Sequence, residues 1–256
     1  MNALLTDLAE SLDDAMLRRK AVPQITLEHP SLTLADAYAI QSLLVNRRLQ
    51  RGERRMGMKM GLTSRAKMLQ VGVNEMSWGR LTNAMLLEEG GLVARDAYIH
   101  PRLEPELAFL IGKPLSGKVT AAQALGCVDG VAPAMELIDS RYRDFKFTLN
   151  DVVADNSSSA GLVIGSWCSA TQDLTNLGVV LEVNGRVIDT ASTAAILGNP
   201  VRSLVAAARL AGEAGETLQP GDIIMSGGIT AAHTISPGET VRATLQNLGF
   251  VSISVT

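Results

Sequence analysis

Two glutamates two positions apart offer the clearest chemistry in the chain. Glu104 and Glu106 flank Pro105 and run into an apolar segment at 107–111. In a helix, side chains at i and i+2 point roughly 200° apart, whereas in a strand they share one face. On a strand both carboxylates can bind one divalent cation, and oxygen ligands of this kind suit magnesium. From this segment alone, a pair of solvated acids on an exposed edge is an equal alternative.

The proline between these glutamates restricts where the strand can lie. Pro105 has no N–H to donate to a neighbouring strand. The strand at 103–111 is therefore predicted at a sheet edge or in an irregular segment.

A third acid lies in another apolar run. Glu136 falls in a predicted strand at 130–141, where it shares a face with Ala134 and Ile138, so it is expected to be buried. A buried carboxylate must be paired, protonated or bound to a metal. An ion pair with Arg141 or another arginine is one explanation for Glu136 and also for Asp139. The other is a site for a hard cation that Glu136 completes together with the first two glutamates.

A lysine stands in a short apolar strand predicted at 56–61. Lys59 is surrounded there by methionines and glycines. If it is buried, its pKa is expected to be depressed, which suits proton transfer or pairing with an anionic ligand. The alternative is a stem in the core with the ammonium in water. A helix that begins at Thr63 or Ser64 and ends at Gly72 is predicted to follow.

Two further segments could contact a small ligand. Residues 152–161 are predicted as a strand end that runs into a loop of small polar residues, which can offer hydroxyl and N–H groups or form a plain turn. Residues 223–230 are predicted as a strand that ends at Gly227 and Gly228. Free backbone N–H groups at such a glycine pair can bind an anion.

The elements that must position these residues are helical at first and mostly β from about residue 92. Helices are predicted at 3–19, from Thr33 to about Gln50, at 120–129 and after Asn199. Asn184 and Gly185 between two alternating runs predict a hairpin with a type I′ turn. These elements indicate one helical region and one β-rich region.

The whole-chain totals exclude several classes of protein. The chain has 256 residues, a formal net charge of −3 and two cysteines. No basic surface for nucleic acid is indicated, and neither a membrane span, a secretory signal, a disulfide framework nor a zinc motif is evident. Phosphate-loop, dinucleotide-binding and Gly-x-Ser-x-Gly motifs are absent as well. A cytoplasmic enzyme or binding protein is expected.

Five segments in the same order resemble the hydratase/decarboxylase branch of the fumarylacetoacetate hydrolase superfamily. They are KMGLTS at 59–64, RLEPE at 102–106, MELIDSR at 135–141, VADN at 153–156 and GGITAA at 227–232. The resemblance extends from the helix near residue 33 to the C-terminus. Arg65 departs from it where a tryptophan can occur, and Ser157 departs where relatives often have alanine.

The resemblance implies a fold and a site. The expected fold is α+β, with a helical N-terminal part at 1–75 packed on a mixed β-barrel or sandwich roll at 76–256. A magnesium or manganese ion is expected on Glu104, Glu106 and Glu136, with Lys59 as the catalytic residue and no organic cofactor. The candidate substrate-binding residues are Leu62, Asp155, Ser158, Gly228 and Thr230.

Within this branch the chain is most similar to the decarboxylases. The resemblance implies loss of carbon dioxide from 2-oxo-3-hexenedioate, a small 2-oxo dicarboxylate of the catechol meta-cleavage pathway, to give 2-hydroxypenta-2,4-dienoate or 2-oxopent-4-enoate. It also implies a homo-oligomer and a complex with the hydratase of that pathway. One alternative is hydration of 2-oxopent-4-enoate on the same scaffold. Another is a non-catalytic partner subunit of a decarboxylase–hydratase complex.

Overall fold

Helices pack on two β-sheets in a computed structural model that describes residues 3–64, 68–69 and 75–256. The predicted α+β class is therefore confirmed. The helices are α1 (Ala3–Arg18), α2 (Ile25–Glu28), α3 (Leu34–Gln50), α4 (Ala121–Leu125), α5 (Leu149–Ala154) and α6 (Val201–Glu213). The strands are β1 (Arg55–Gly61), β2 (Ser77–Thr82), β3 (Leu86–Leu87), β4 (Leu92–Val93), β5 (Arg102–Ile111), β6 (Val128–Ile138), β7 (Ser159–Ile164), β8 (Gly178–Val183), β9 (Arg186–Ser192), β10 (Ile223–Met225), β11 (His233–Thr234), β12 (Thr240–Leu245) and β13 (Gly249–Val255).

The N-terminal helices begin and end close to their predicted limits. The Thr33 hydroxyl accepts a hydrogen bond from Asp36 N, and the Asp36 carboxylate accepts one from Thr33 N at 2.9 Å. This reciprocal cap fixes the start of α3. The helix packs on α1 and α5 through an apolar face that includes Ile40 and Leu44. Most of the helix predicted to end at Gly72 lies outside the described residues. Arg65 lies outside them as well.

The larger sheet contains the strand that carries the two glutamates. Its order is β2-β1-β10-β5-β6-β7-β3, with β11 also paired to β5. Of the two positions predicted for this strand, the sheet edge is therefore wrong, whereas an irregular segment does lie beside Pro105. Pro105 is tolerated because, on one side of β5, strand pairing is interrupted opposite it: β10 pairs with residues 108–110 and β11 with residues 102–103. There the Pro105 carbonyl accepts from Ile229 N at 2.9 Å, and the missing proline N–H removes no bond of a continuous ladder.

The larger sheet must curl strongly for its inner side chains to meet. Lys59 on β1 and Glu136 on β6 are separated by two intervening strands, a distance of about 14 Å in a flat sheet. Their charged atoms nevertheless lie 2.8 Å apart. The inner face is therefore concave and closes over these residues.

The smaller sheet has the order β4-β13-β12-β8-β9, and it packs through β12 and β13 against β6 of the larger sheet. Asn184 and Gly185 have φ angles of 51° and 73°, so the predicted type I′ hairpin is confirmed. Helix α6 begins where expected, with Asn199 Oδ1 accepting from Val201 N at 2.9 Å.

The segment before the polar loop differs from its prediction. Residues 152–154 belong to helix α5 and not to a strand. The Thr148 hydroxyl accepts from Asp151 N, and the Asp151 carboxylate accepts from Thr148 N at 2.8 Å. This cap is a helix-start signal that outweighs the β preference of the two valines.

None of the helices that the structure describes is both long enough and apolar enough to cross a membrane.

Candidate active site

Three glutamates meet on the concave face of the larger sheet. Glu104 on β5 pairs directly with Glu136 on β6, and strand alternation places Glu106 on the same face as Glu104. One carboxylate oxygen from each lies within 4.8 Å of the other two. Glu106 and Glu136 are fully buried, whereas Glu104 is partly exposed. The sheet thus brings together the three residues that are predicted as metal ligands.

Three carboxylate oxygens of this cluster are buried without a hydrogen bond, and one of them, Glu136 Oε2, lies 2.8 Å from the Lys59 ammonium. Glu106 Oε2 accepts from Gly227 N at 2.8 Å. By contrast, Glu106 Oε1 and Glu136 Oε1 accept no hydrogen bond from any part of the chain that the structure describes. Burial raises the pKa of both carboxyl groups, and the Glu136 charge raises that of Glu106 further. Clustered carboxylates with unused oxygens fit a divalent cation, which supplies the charge and the ligand bonds they lack.

The ammonium group of Lys59 is buried beside this cluster. Its Nζ lies 2.8 Å from Glu136 Oε2 and donates a hydrogen bond of 2.9 Å to the Ser157 carbonyl. Burial alone would lower the pKa of Lys59, but Glu136 and Glu106 outweigh it and raise that pKa above its ordinary value. The predicted depression of the pKa is therefore wrong, because the sequence did not place the carboxylates within reach. The alternative of an ammonium in water does not hold either.

A left-handed turn presents the Ser157 carbonyl to Lys59. Asn156, Ser157 and Ser158 have φ angles of 50°, 52° and 57°, a conformation that costs roughly 1–2 kcal/mol per residue outside glycine. Hydrogen bonds hold it in place: Asn156 Oδ1 accepts from Arg80 N at 2.8 Å, and Asn156 Nδ2 donates to Arg80 O at 2.9 Å. The sequence predicted a polar loop here but not this use of its backbone.

A cavity of about 130 Å³ opens beside the lysine and the glutamates. Its polar side includes Lys59, Glu104 and Ser158, and its other side is apolar. The described residues that line it are Lys59, Gly61, Leu62, Ser77, Glu104, Ile138, Phe145, Phe147, Val152, Ser157 and Ser158. A charged end and an apolar end together suit a small, elongated anion.

The predicted substrate-binding residues fall into two groups. Leu62 and Ser158 line the cavity. Gly228 lies against the cluster, since a Cβ at this position would come 2.3 Å from Glu104 Oε2. Thr230 donates its hydroxyl proton to the Ala231 carbonyl at 3.0 Å and is not among the lining residues described. Asp155 is also outside that lining.

Asp155 instead forms a buried ion pair with Arg141. The Arg141 guanidinium contacts both the carboxylate and the carbonyl of Asp155, and Arg141 Nη1 donates to the Asp139 carbonyl at 2.7 Å. Burial raises the pKa of Asp155 to about 7 against the opposing effect of Arg141. Arg141 therefore does not pair with Glu136. The Asp139 carboxylate accepts from Ile99 N and His100 N at 2.9 and 2.7 Å.

The apolar wall of the cavity was not predicted from the sequence. Phe145 and Phe147 belong to an irregular segment, in which their ring centroids are 5.9 Å apart. They are two of only four phenylalanines in the chain, so their close spacing was an available signal. No periodic pattern tied that segment to the strands, because it reaches the site only through the tertiary fold.

Comparison with known proteins agrees with this geometry. A family model described as fumarylacetoacetate (FAA) hydrolase C-terminal matches residues 49–256. The chain is 51% identical over 252 residues to a 4-oxalocrotonate decarboxylase of a Pseudomonas species, covering 98% of both chains. It is 33% identical over 248 residues to a 2-keto-4-pentenoate hydratase of Paraburkholderia xenovorans, covering 96% of this chain and 92% of the hydratase.

A solved structure agrees over the whole length. The 4-oxalocrotonate decarboxylase from Pseudomonas putida G7, complexed with magnesium and adipate, superposes with a TM-score of 0.97 at 39% identity. The match covers 100% of this chain and 98% of the other. Sequence and structure lead to the same conclusion: the chain belongs to the fumarylacetoacetate hydrolase family.

Proposed function

We propose that this protein decarboxylates 2-oxo-3-hexenedioate, also called 4-oxalocrotonate, with a divalent metal ion as cofactor. The observation that carries the proposal is the pair of unused buried oxygens on Glu106 and Glu136, next to a buried Lys59 and a half-apolar cavity. Relatives named as 4-oxalocrotonate decarboxylases reach 51% identity, whereas the hydratase of Paraburkholderia xenovorans reaches 33%. This difference favours decarboxylation over hydration.

Glu104, Glu106 and Glu136 would hold the metal ion. A bound magnesium ion acts as a Lewis acid that stabilises negative charge developing on the C2 oxygen of a 2-oxo acid. The Gly227 N–H fixes one oxygen of Glu106 and leaves the other to act as a ligand. Orientation of a ligand by a second contact of this kind is common in metal sites.

The bond that breaks joins C5 to C6 of the substrate. Its electron pair forms the C4–C5 double bond, the C3–C4 double bond shifts to C2–C3, and the charge finishes on the C2 oxygen. Carbon dioxide leaves, and one proton added to that oxygen gives 2-hydroxypenta-2,4-dienoate. Lys59, held as a cation between Glu136 and the Ser157 carbonyl, is placed to stabilise this charge or to supply the proton.

The apolar wall would surround the carboxylate that leaves. Phe147 and Val152 offer no hydrogen-bond donor from their side chains, and both line the cavity. Such surroundings disfavour a carboxylate relative to neutral carbon dioxide, so they favour the products over the bound dianion.

Separate incubations test the proposal. Purified protein with magnesium should release carbon dioxide from 2-oxo-3-hexenedioate and should not add water to 2-oxopent-4-enoate at a comparable rate. Carbon dioxide would be followed by a coupled assay and hydration by loss of the substrate absorbance. Rapid hydration without carbon dioxide release would assign the chain to the hydratases, and inactivity on both would support a non-catalytic partner subunit.

We further propose that the chain forms a homo-oligomer and associates with a hydratase that consumes the product. Val187 and Ile188 on the edge strand β9 support association, because they are 58% and 46% exposed. Light scattering coupled to size-exclusion chromatography, with and without the hydratase, measures both assemblies. A monomer that elutes separately from the hydratase would contradict the proposal.

A further inference from the structure

Gly79 is the residue directly opposite Lys59 on the neighbouring strand. Strands β1 and β2 pair antiparallel, and their register sets Lys59 against Gly79. The side chains of directly opposed residues lie on the same face of a sheet. The position next to Lys59 on the concave face therefore carries no side chain, and another part of the protein can occupy the space.

The turn at 156–158 occupies this space. A Cβ at Gly79 would lie 2.5 Å from the Asn156 carbonyl oxygen and 3.1 Å from Asn156 Oδ1. Gly79 does not have a left-handed φ, so its backbone conformation is open to other residues. Glycine is thus required at this position for the close approach of the turn and not for the course of the strand.

Hydrogen bonds attach the turn to β2, which is the last strand at one end of the larger sheet. Asn156 uses its side-chain amide as a neighbouring strand would use its backbone: it accepts from Arg80 N at 2.8 Å and donates to Arg80 O at 2.9 Å. The Ser157 hydroxyl donates to the Trp78 carbonyl at 3.0 Å. These bonds involve the two residues that flank Gly79, so they fix the turn over it.

The fixed turn holds the Ser157 carbonyl against the Lys59 ammonium. Lys59 Nζ donates to this oxygen at 2.9 Å and lies 2.8 Å from Glu136 Oε2. A divalent ion on Glu136 would offset part of the negative charge that attracts the ammonium. The Ser157 carbonyl is neutral and is not a candidate metal ligand, so it can hold the ammonium at the cavity wall while Glu136 binds the ion.

We propose that Gly79 and Asn156 are positioning residues for Lys59, which they fix through the Ser157 carbonyl. The inference rests on the proposed function, because it takes Lys59 as the residue that acts on the substrate and Glu136 as a metal ligand. Gly79 supplies the space for the turn, and Asn156 supplies its attachment. Without either of them the carbonyl withdraws, and the ammonium shifts toward Glu136, where it competes with a cation and loses its fixed place in the cavity.

Gly79→Ala tests the need for space. It should lower kcat roughly 10- to 100-fold with little change in KM, because misplacing a reacting group by about 1 Å can cost that much. Magnesium affinity, measured by calorimetry, should fall roughly three- to tenfold, less than the full value of a hydrogen bond to a charged group. Gly212→Ala on α6 is the matched control. Its Cβ would also meet backbone, 2.7 Å from Gly117 N, and it should leave kcat and magnesium affinity unchanged.

A double-mutant cycle shows whether Gly79 acts through Lys59. In the Lys59→Ala background the ammonium is absent, so adding Gly79→Ala should change the residual kcat and the magnesium affinity by less than about twofold. A merely structural disturbance of the metal site would instead lower both quantities by the same factor in either background.

Asn156→Gly tests the attachment without adding an atom. Glycine readily adopts the φ of 50° found here, so this variant loses chiefly the two hydrogen bonds to Arg80. It should shift kcat and magnesium affinity in the same direction as Gly79→Ala, and the same cycle with Lys59→Ala decides the question if Gly79→Ala does not fold. Asn247→Gly is the control, at an exposed turn position with a φ of 63°.

Two results would overturn the assignment. One is wild-type kcat and magnesium affinity in folded Gly79→Ala or, if that variant does not fold, in Asn156→Gly. The other is an equal loss with and without Lys59. If the wild type binds magnesium but releases no carbon dioxide from 2-oxo-3-hexenedioate, the proposed reaction fails. The cycle on magnesium affinity then still decides whether the turn positions Lys59.

Discussion

Two buried cation–carboxylate pairs lie in the same part of the fold and differ in what surrounds them. Arg141 and Asp155 are enclosed, and the guanidinium also donates to the carbonyls of Asp139 and Ser159. Lys59 and Glu136 are equally buried, yet Glu136 Oε1 accepts no hydrogen bond from the described residues. One pair is complete within the protein, whereas the other is completed only by something bound.

In these two pairs, the number of unused acceptor atoms differs and burial does not. All four side chains are at most 5% exposed, so exposure does not distinguish the pairs. The number of unused acceptor atoms does, because a buried oxygen without a partner is costly unless a ligand supplies one. On this basis we assign Glu136 and Glu106 to the candidate site and Asp155 to the framework beside it.

The largest expected effect comes from removing the charge of Glu106, a candidate metal ligand in the same cluster as Glu136. Glu106→Gln should abolish metal-dependent activity and weaken magnesium binding, because an amide carries no charge for the cation. The melting temperature of the metal-free protein should not fall, since a buried negative charge is removed. Carbon dioxide release, calorimetry and thermal unfolding measure the three quantities.

The matched control for this change is Glu88→Gln, which alters an exposed glutamate and should change none of these measurements. Full activity of the wild type after exhaustive chelation would contradict the metal site.

The second effect tests the cation of the incomplete pair. Lys59→Ala should lower kcat by roughly 10²–10⁴-fold, the range for a positioned acid, base or charge. Magnesium affinity should persist, because the ammonium no longer competes for Glu136. Steady-state kinetics at saturating magnesium measure the change, with Lys113→Ala at an exposed position as the control. A loss of less than about tenfold would show that Lys59 has no role in the chemistry.

The third effect breaks the complete pair. Arg141→Met should lower the free energy of unfolding by about 3–5 kcal/mol, because it leaves a buried carboxylate without its cation. The loss should be smaller at pH 5 than at pH 8. The folded-state pKa of Asp155, already raised to about 7, rises further in the variant, so stability is lost as the pH rises through it.

Urea unfolding of the metal-free variant at both pH values measures this loss. The kcat of the folded variant should stay within a few-fold of the wild type. A large fall in kcat without a loss of stability would place Arg141 in the site and remove the distinction between the two pairs.

The smallest of these effects comes from filling the space next to Glu104, a candidate metal ligand. Gly228→Ala would place a Cβ 2.3 Å from Glu104 Oε2, so the carboxylate must move. Magnesium affinity should fall about 10–100-fold, the usual cost of disturbing a contact that orients a ligand. Gly178→Ala is the control, since its nearest atom would be an ordinary 3.4 Å away. Unchanged affinity in Gly228→Ala would show that Glu104 is not a required ligand.

Local sequence determined the elements and part of the site. The Thr33 cap, the Asn184–Gly185 turn and the alternation of Glu104 with Glu106 depend on residues close together in the chain, so their conformations could be predicted. At residues 152–154 the β preference of valine predicts the wrong element, because the cap between Thr148 and Asp151 starts a helix there.

Only the tertiary structure decided which charges meet. The register of β5 with β6 sets Glu136 opposite Glu104, and the curl of the sheet brings Lys59 to Glu136 across two strands. Strand order also decided between the two positions expected for Pro105, because β5 lies inside the sheet and Pro105 faces an interruption between β10 and β11. Register, curl and strand order arise from contacts between residues far apart in the chain, so no local pattern encodes which of several nearby acids a buried cation will pair with.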